Sequence, residues 1–214
     1  MNLGTFRPSY AIRRLRQERF WRRHPEAPWL TAQAIVLLEN WLRPTDIGIE
    51  WGSGRSTAWF ASHVTKVLSI EDNRQWYDRV SAMLREKSLQ EKVDYRYVAC
   101  PHIEIDEPET ADYALAADAI ADGTADFVLV DGNIRATCMW VAVRKLKAGG
   151  LLILDNANRY IPNRCLGEHT TIHEPRDEPR TPGWSHILQE LRTWRAILTS
   201  DGIWDTRFWV KPCG

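Results

Sequence analysis

The sequence predicts an α/β fold, a doubly wound, mostly parallel seven-stranded sheet closed by an antiparallel C-terminal hairpin. Three observations carry this. Strand-like and helix-like segments alternate at near-regular spacing from about residue 45 onward. The strand segments are almost continuously apolar, as strands covered on both faces must be. The end breaks the alternation: residues 195–200 and 206–211 are both strand-like and flank Asp201-Gly202, a strong hairpin signal.

The elements follow in order. Seven arginines face a single acid, Glu18, between Arg7 and Arg23, which reads as a solvated helix burying Ile12, Leu15 and Phe20 on the domain or on a second subunit, in preference to a targeting peptide or a helix on an anionic surface. After Pro28, Thr31 caps a helix carrying Ala34, Ile35, Leu38, Trp41 and Leu42, which ends before Pro44. Residues 45–50 form the first strand, 55–63 a helix, and 66–71 (KVLSIE) the second strand. Asp72 or Asn73 then caps a helix with Trp76, Tyr77, Val80, Met83 and Leu84 in one stripe. Strand three is placed at 95–99 and an alanine-rich helix at 110–121. Strand four (DFVLVD) is placed at 126–131 and a helix at 135–147. Gly149-Gly150 ends that helix and 151–155 (LLILD) is strand five. A last helix begins after His186 with Ile187, Leu188, Leu191 and Trp194. The division expected is a helical arm at 1–44 and one domain at 45–214. The irregular stretch 157–183, rich in Pro, Arg, Glu and His, is expected to be a substrate lid.

Composition narrows the function classes. A chain of 214 residues suffices for one domain with a sizeable core. Lys plus Arg and Asp plus Glu number 28 each, so no global field draws the chain to nucleic acid or to a membrane surface. No apolar run approaches bilayer length. Four cysteines without CxxC pairing and no signal-type apolar start lead to an expected cytoplasmic location. Most of the 11 Trp are expected to fill core seams, and the N-terminal helices are a candidate surface for pairing two copies.

The run Ile47-Gly48-Ile49-Glu50-Trp51-Gly52-Ser53-Gly54-Arg55-Ser56-Thr57 carries the chemistry. A strand feeding a glycine-rich turn and a helix N-terminus makes a nucleotide-type pocket, with backbone N–H groups aimed into it. Glu50 adds a fixed negative charge at the strand tip, which favours a ligand with a cationic centre over a pyrophosphate. Glu71, 17 residues past Gly54 on the neighbouring strand, can accept from two ribose hydroxyls. A dinucleotide-binding oxidoreductase competes for the same pattern. Its fingerprint needs a small third residue where Thr57 stands. A binding module that keeps the fold without catalysis is the other alternative. GxSxG and GxxxxGK[ST] are both missing, so the serine-hydrolase and P-loop readings fail.

Taken together, these residues resemble the class I S-adenosylmethionine-dependent methyltransferases. Glu50-x-Gly52-x-Gly54 is similar to the family's first motif, and Glu71 to the acid ending its second strand. Residues 126–131 and 146–156 (LKAGGLLILDN) match its fourth- and fifth-strand motifs, and the hairpin matches its reversed last strand. The resemblance spans about 45–211 and departs from the pattern at Ser56, where a third glycine often stands. It implies S-adenosyl-L-methionine as cofactor, held by Glu50, Gly52, Ser53, Gly54, Ser56, Thr57, Glu71 and Asp131. The reaction expected is methyl transfer to a small-molecule acceptor, at a hydroxyl, and the balanced charge speaks against nucleic acid as substrate.

Asp131, Asp155 and Asn156 end strands four and five, about 4.8 Å apart if those strands are neighbours. Two carboxylates and an amide oxygen suit Mg²⁺, in a pattern that looks like the catechol-type O-methyltransferases. That subgroup usually has lysine three residues after the first Asp, where this chain has Ile134 followed by Arg135. Alternatively, Asp155-Asn156 only makes the turn and Asp131 serves the cofactor alone. Candidate catalytic residues are Asp131 and the lid histidines His169 and His173. Cys165-x3-His169-x3-His173 also has zinc-compatible spacing, although Pro162, Gly167 and Pro175 oppose the helix it would need. His186 is a further candidate base.

Overall fold

The computed structural model describes residues 8–100, 111–162 and 178–214, the side chains of 8–10 excepted. Seven strands form one sheet: β1 (Ile47–Trp51), β2 (Lys66–Glu71), β3 (Val93–Tyr97), β4 (Ala125–Val130), β5 (Leu146–Leu154), β6 (Arg195–Ser200) and β7 (Asp205–Val210). Their order is β3-β2-β1-β4-β5-β7-β6. β1 to β5 pair in parallel, while β7 runs antiparallel to both β5 and β6. Strand order reverses between β1 and β4, which opens a crevice at their carboxyl ends.

Among the described residues, seven α-helices accompany the sheet: α1 (Pro8–Arg23), α2 (Ala32–Trp41), α3 (Arg55–His63), α4 (Arg74–Glu86), α5 (Asp112–Leu115), α6 (Arg135–Lys145) and α7 (Pro182–Glu190). Successive strand residues go to opposite faces, so two cores form. Ile49, Trp51, Val128, Val130, Leu152 and Leu154 pack with α5, α6 and α7. Val67, Phe127, Leu129, Leu151, Ile153 and Phe208 pack with α2 and α3. Thr31 caps α2 by accepting from Ala34 N, and Asn73 caps α4 by accepting from Trp76 N.

Four sequence expectations need correction. Gly149-Gly150 lies inside β5, because α6 already ends at Lys145 and Leu146 pairs with Ala125. The next pair is Phe127 with Leu151, so the glycines supply a bulge, with Gly149 at φ +77°. β3 starts two residues earlier than expected, since Val93 finds its partner in Val67. The alanine-rich segment makes one α turn and then tightens to 3₁₀ over Ala116–Ala119, and Asp118 and Asp122 both reach the buried Lys145 at 2.7 Å. α7 begins at Pro182, favoured at a helix start, which puts His186 inside the helix.

Of the two surfaces expected for the α1 stripe, the domain itself covers Phe20 alone. Ile12 and Leu15 are exposed, at 51% and 65%. The helix is held instead through Phe20, which packs on the α2 side, and through polar contacts to the β6–β7 turn. Gln17 donates to Asp201 at 2.5 Å and Arg13 to the Gly202 carbonyl at 3.3 Å. Among the described residues, no helix is long and apolar enough to cross a membrane.

Candidate active site

The glycine turn sits against the turn that follows β4. Gly52 N donates to Ile70 O, and Asp131 N to Trp51 O. Gly52 has φ +86°, and a Cβ there would lie 2.6 Å from Gly132 N. This glycine is therefore demanded by the neighbouring backbone. Gly54 is different: its backbone is extended, and a Cβ would meet only Trp76, at 3.9 Å. The space above it is open.

Glu71, at the tip of β2, ties the turn down. One carboxylate oxygen accepts from Ser53 N (2.9 Å) and Ser53 Oγ (2.6 Å). The other accepts from Asp72 N (3.1 Å) and Asn73 N (2.8 Å). Ser53 Oγ is also 2.6 Å from Tyr95 OH, and Trp76 Nε1 donates to Ser53 O at 2.7 Å.

Glu50 is fully buried. Its Oε2 accepts from Thr57 Oγ1 (2.6 Å) and Ser69 Oγ (2.8 Å). Its Oε1 has no hydrogen-bond partner among the described residues. Burial pushes its carboxyl up to about 7, against the hydroxyls of Ser56, Thr57 and Ser69 that hold it down. Thr57 Oγ1 also accepts from Gly54 N at 2.9 Å. The hydroxyls of Ser53 and Thr57, expected to donate to a ligand, are thus spent on the site's own carboxylates. The backbone N–H groups of α3's first turn still lie at the crevice.

At β4 and β5 the expected metal seat holds a guanidinium. Arg135 is 6% exposed. Its Nη2 donates to Asp131 Oδ1 (2.8 Å) and Asp131 O (2.7 Å), its Nε to Gly132 O (2.9 Å), and its Nη1 to Asp155 O. Asn156 Oδ1 lies 3.5 Å from Nη2. Asp155 is 3% exposed and is turned to Thr206 Oγ1 and Asn156 Nδ2, each at 2.7 Å. Burial and the neighbouring Asp131 push its carboxyl up to about 8. A guanidinium already on Asp131 and a carboxyl turned inward do not make an Mg²⁺ site. No group of three His, Cys, Asp or Glu among the described residues could hold a metal. Asn156, at φ +48°, makes the turn after β5.

Asp131 keeps 30% of its side-chain surface exposed, and its Oδ2 accepts no hydrogen bond among the described residues. Burial raises its carboxyl above the usual range, and the Arg135 charge opposes that. Ile134, next to Arg135, takes the left-handed region at φ +40°, a costly conformation for a β-branched residue. His186 is exposed on α7. His169, His173, Cys165 and most of the expected lid lie outside the described residues.

Four residues of this site were not singled out in the sequence: Tyr95, Tyr113, Arg159 and Tyr160. Arg135 was noted only for standing beside a missing lysine. Tyr113 is fully buried, and its hydroxyl would lie 2.1 Å from a Cβ on Gly132. A tyrosine in an alanine-rich segment carries no local signal of this, because the partner is a glycine 19 residues on.

No family model matches the chain, and no curated protein matches it. Solved structures do. A methyltransferase from Geobacter sulfurreducens aligns over 98% of this chain and 93% of its own, at 16% identity and TM-score 0.56. An O-methyltransferase from Bacillus cereus in complex with SAH aligns over 82% and 76%, at 17% identity and TM-score 0.57. A putative rRNA methylase from Clostridium thermocellum aligns over 88% and 99%, at 12% identity and TM-score 0.59. The fold is that of the class I S-adenosylmethionine-dependent methyltransferases.

Proposed function

We propose that this chain binds S-adenosyl-L-methionine at the carboxyl edge of β1, β2 and β4 and methylates a hydroxyl of a small-molecule acceptor. The observation that carries this reading is the Glu71 carboxylate bonded to both the backbone and the hydroxyl of Ser53, which joins an acidic strand tip to the glycine turn. Two further features suit the cofactor. Glu50 Oε1 is a buried acceptor without a donor among the described residues, matched to an ammonium or to a water bridging to one. Gly54 leaves the turn uncovered.

When bound, S-adenosylmethionine supplies an electrophilic methyl group on a sulfonium. Glu71 would take the ribose hydroxyls. Ser53 Oγ already has Tyr95 OH as a second partner, so it can give up its place on that carboxylate. Glu50 and Asp131 supply negative charge for the cationic end. Asp131 Oδ2, carried on a partly exposed carboxylate anchored by Arg135, is the group we assign to accept the acceptor's proton. His169 and His173 are the other candidates. No step is assigned to Mg²⁺, because Arg135 holds the donor set it would need. Alignment of acceptor and methyl group, with water excluded, supplies the remainder of the catalysis.

Thr57 works against a pyrophosphate. It fills the third-glycine position fully buried, directly above a carboxylate. Calorimetry separates the two readings: S-adenosylmethionine or its demethylated product binds and NADH and NADPH do not, and the reverse result overturns the proposal. Transfer of a labelled methyl group to a small-molecule extract and to total RNA then tests the acceptor class. The net charge of zero favours the former, and label in RNA alone would overturn that part. Asp131→Asn is expected to lower kcat roughly 10²- to 10⁴-fold, beyond a smaller loss of cofactor affinity, about tenfold, from the negative charge it removes.

A further inference from the structure

We infer that the sheet edge beside Asp131 carries a binding site for an oxyanion, a carboxylate or phosphate group, read by Arg159. Its role as an acceptor subsite rests on the methyltransferase proposal; its existence does not.

After β5 the chain turns at Asn156 and makes a 3₁₀ turn over Ala157–Arg159, which delivers Arg159 and Tyr160 to the same sheet edge as Asp131. Tyr160 is 8% exposed, with its ring 5.2 Å from that of Trp184. Three guanidiniums approach the Tyr160 ring: Arg135 at 5.2 Å, Arg180 at 5.4 Å and Arg159 at 5.7 Å. They are not equivalent. Arg135 is consumed by Asp131 and three backbone carbonyls. Arg180 donates its backbone N–H to Tyr160 O, which closes the turn from the other side.

Arg159 is half-buried, and among the described residues its guanidinium meets neither a carboxylate nor a carbonyl. Its only described contact is the ring. A guanidinium is a fork of five donors, and an aromatic face satisfies none of them as hydrogen bonds. Arg159 shares the Tyr160 ring with Arg135, the guanidinium bonded to Asp131, which places it near the proposed reacting edge. The partners of the nearby carboxylates point the same way. Asp131 is bonded to Arg135, and Asp155 to Thr206 and Asn156, so among the described residues no carboxylate bonds the Arg159 guanidinium on its aromatic wall. A planar fork of that kind, backed by a ring, matches a two- or three-oxygen anion and no neutral group equally well.

The test uses the full chain with isotopically labelled arginine, the Arg159 side-chain signal being assigned by its loss in Arg159→Gln. Sodium phosphate and sodium acetate are titrated separately, with sodium chloride at equal ionic strength as reference. A saturable shift of the Arg159 signal beyond the chloride reference, with Arg192, exposed on the 3₁₀ turn after α7, unmoved, supports the site. The anion that saturates at lower concentration identifies which oxyanion it prefers. In Arg159→Gln the rise in melting temperature that the preferred anion gives the parent should vanish, an apparent loss of affinity of at least tenfold; Arg159→Lys should retain part of it. No shift beyond chloride, equal shifts at Arg192, or an undiminished rise in Arg159→Gln each overturn the inference. Failure of S-adenosylhomocysteine to bind, with the Arg159 shift intact, removes the methyltransferase proposal and leaves the anion site standing.

Discussion

Glu50 has two oxygens in an interior with donors for one, and that imbalance sets a pH dependence. Its carboxyl rises from 4.5 to about 7 on folding. The folded chain therefore binds this proton more tightly than the unfolded chain does. The contribution is at its most favourable below 4.5, is lost as pH rises from 4.5 to 7, and stays lost above that. A shift of that size corresponds to about 3 kcal/mol. Glu50→Gln should match the parent near pH 4.5 and exceed it by about 1–3 kcal/mol at pH 8, read from urea unfolding at both values. Equal stability at pH 8 would mean the carboxylate is ionised and satisfied. Arg135 is the opposite case, a buried cation on which several acceptors depend. Arg135→Met leaves Asp131 and the carbonyls of Gly132 and Asp155 without their donor, so a loss of about 3–5 kcal/mol is expected. With that guanidinium in place, turnover should be unchanged by EDTA, and Mn²⁺ titrated into the parent should show no stoichiometric binding.

The glycine turn shows how an element divides labour between two residues of one type. Gly52 needs φ +86° and meets backbone at 2.6 Å, whereas Gly54 is extended with open space beyond it. Gly52→Ala should lower stability by about 3 kcal/mol or more. Gly54→Ala should unfold with the parent and yet bind S-adenosylhomocysteine at least tenfold more weakly. Unfolding curves and calorimetry on the pair check both, and equal stability losses would refute the division. Such elements were readable from sequence where pattern and cap agree: α3 and β2 lie where spacing put them, and Thr31 and Asn73 cap as expected. The glycine pair at 149–150 was misread because a helix stop and a strand bulge use the same residue, and only the partner Ala125 decides between them. The site was legible for the same reason in its acidic strand tips. It was illegible where a side chain acts across the sheet. Arg135 is one position away from where a motif would be sought, and its partner Asp155, just past the end of β5, lies 20 residues further along the chain. Ile12 and Leu15 had helical spacing, but spacing cannot say whether a helix has anything to bury its stripe against.

At the scale of the whole chain, the N-terminal helices brace the edge of the sheet that carries β6 and β7. Thr31 at the start of α2 meets Thr199 Oγ1 at 2.6 Å, Thr199 donates to Thr206 O, and Thr206 Oγ1 donates to Asp155. This buried line of hydroxyls links the start of α2 to the end of β5, so α2 belongs to the framework of the site. α1 holds on by less: Phe20 half-buried, Gln17 on Asp201 and Arg13 on Gly202. Removing residues 1–24 would cut those contacts and spare Thr31 and its partners. Half-burial of the Phe20 and Trp21 rings with two partly buried hydrogen bonds amounts to about 3 kcal/mol, or about 6–12 °C in Tm for a chain of this size. The truncated chain should therefore melt several degrees lower while binding S-adenosylhomocysteine within about threefold of the full chain, a difference below 1 kcal/mol. Scanning calorimetry and titration calorimetry on the two lengths decide it. A lost cofactor signal with an unchanged Tm would place α1 in the binding site and reverse the assignment of α1 as a brace.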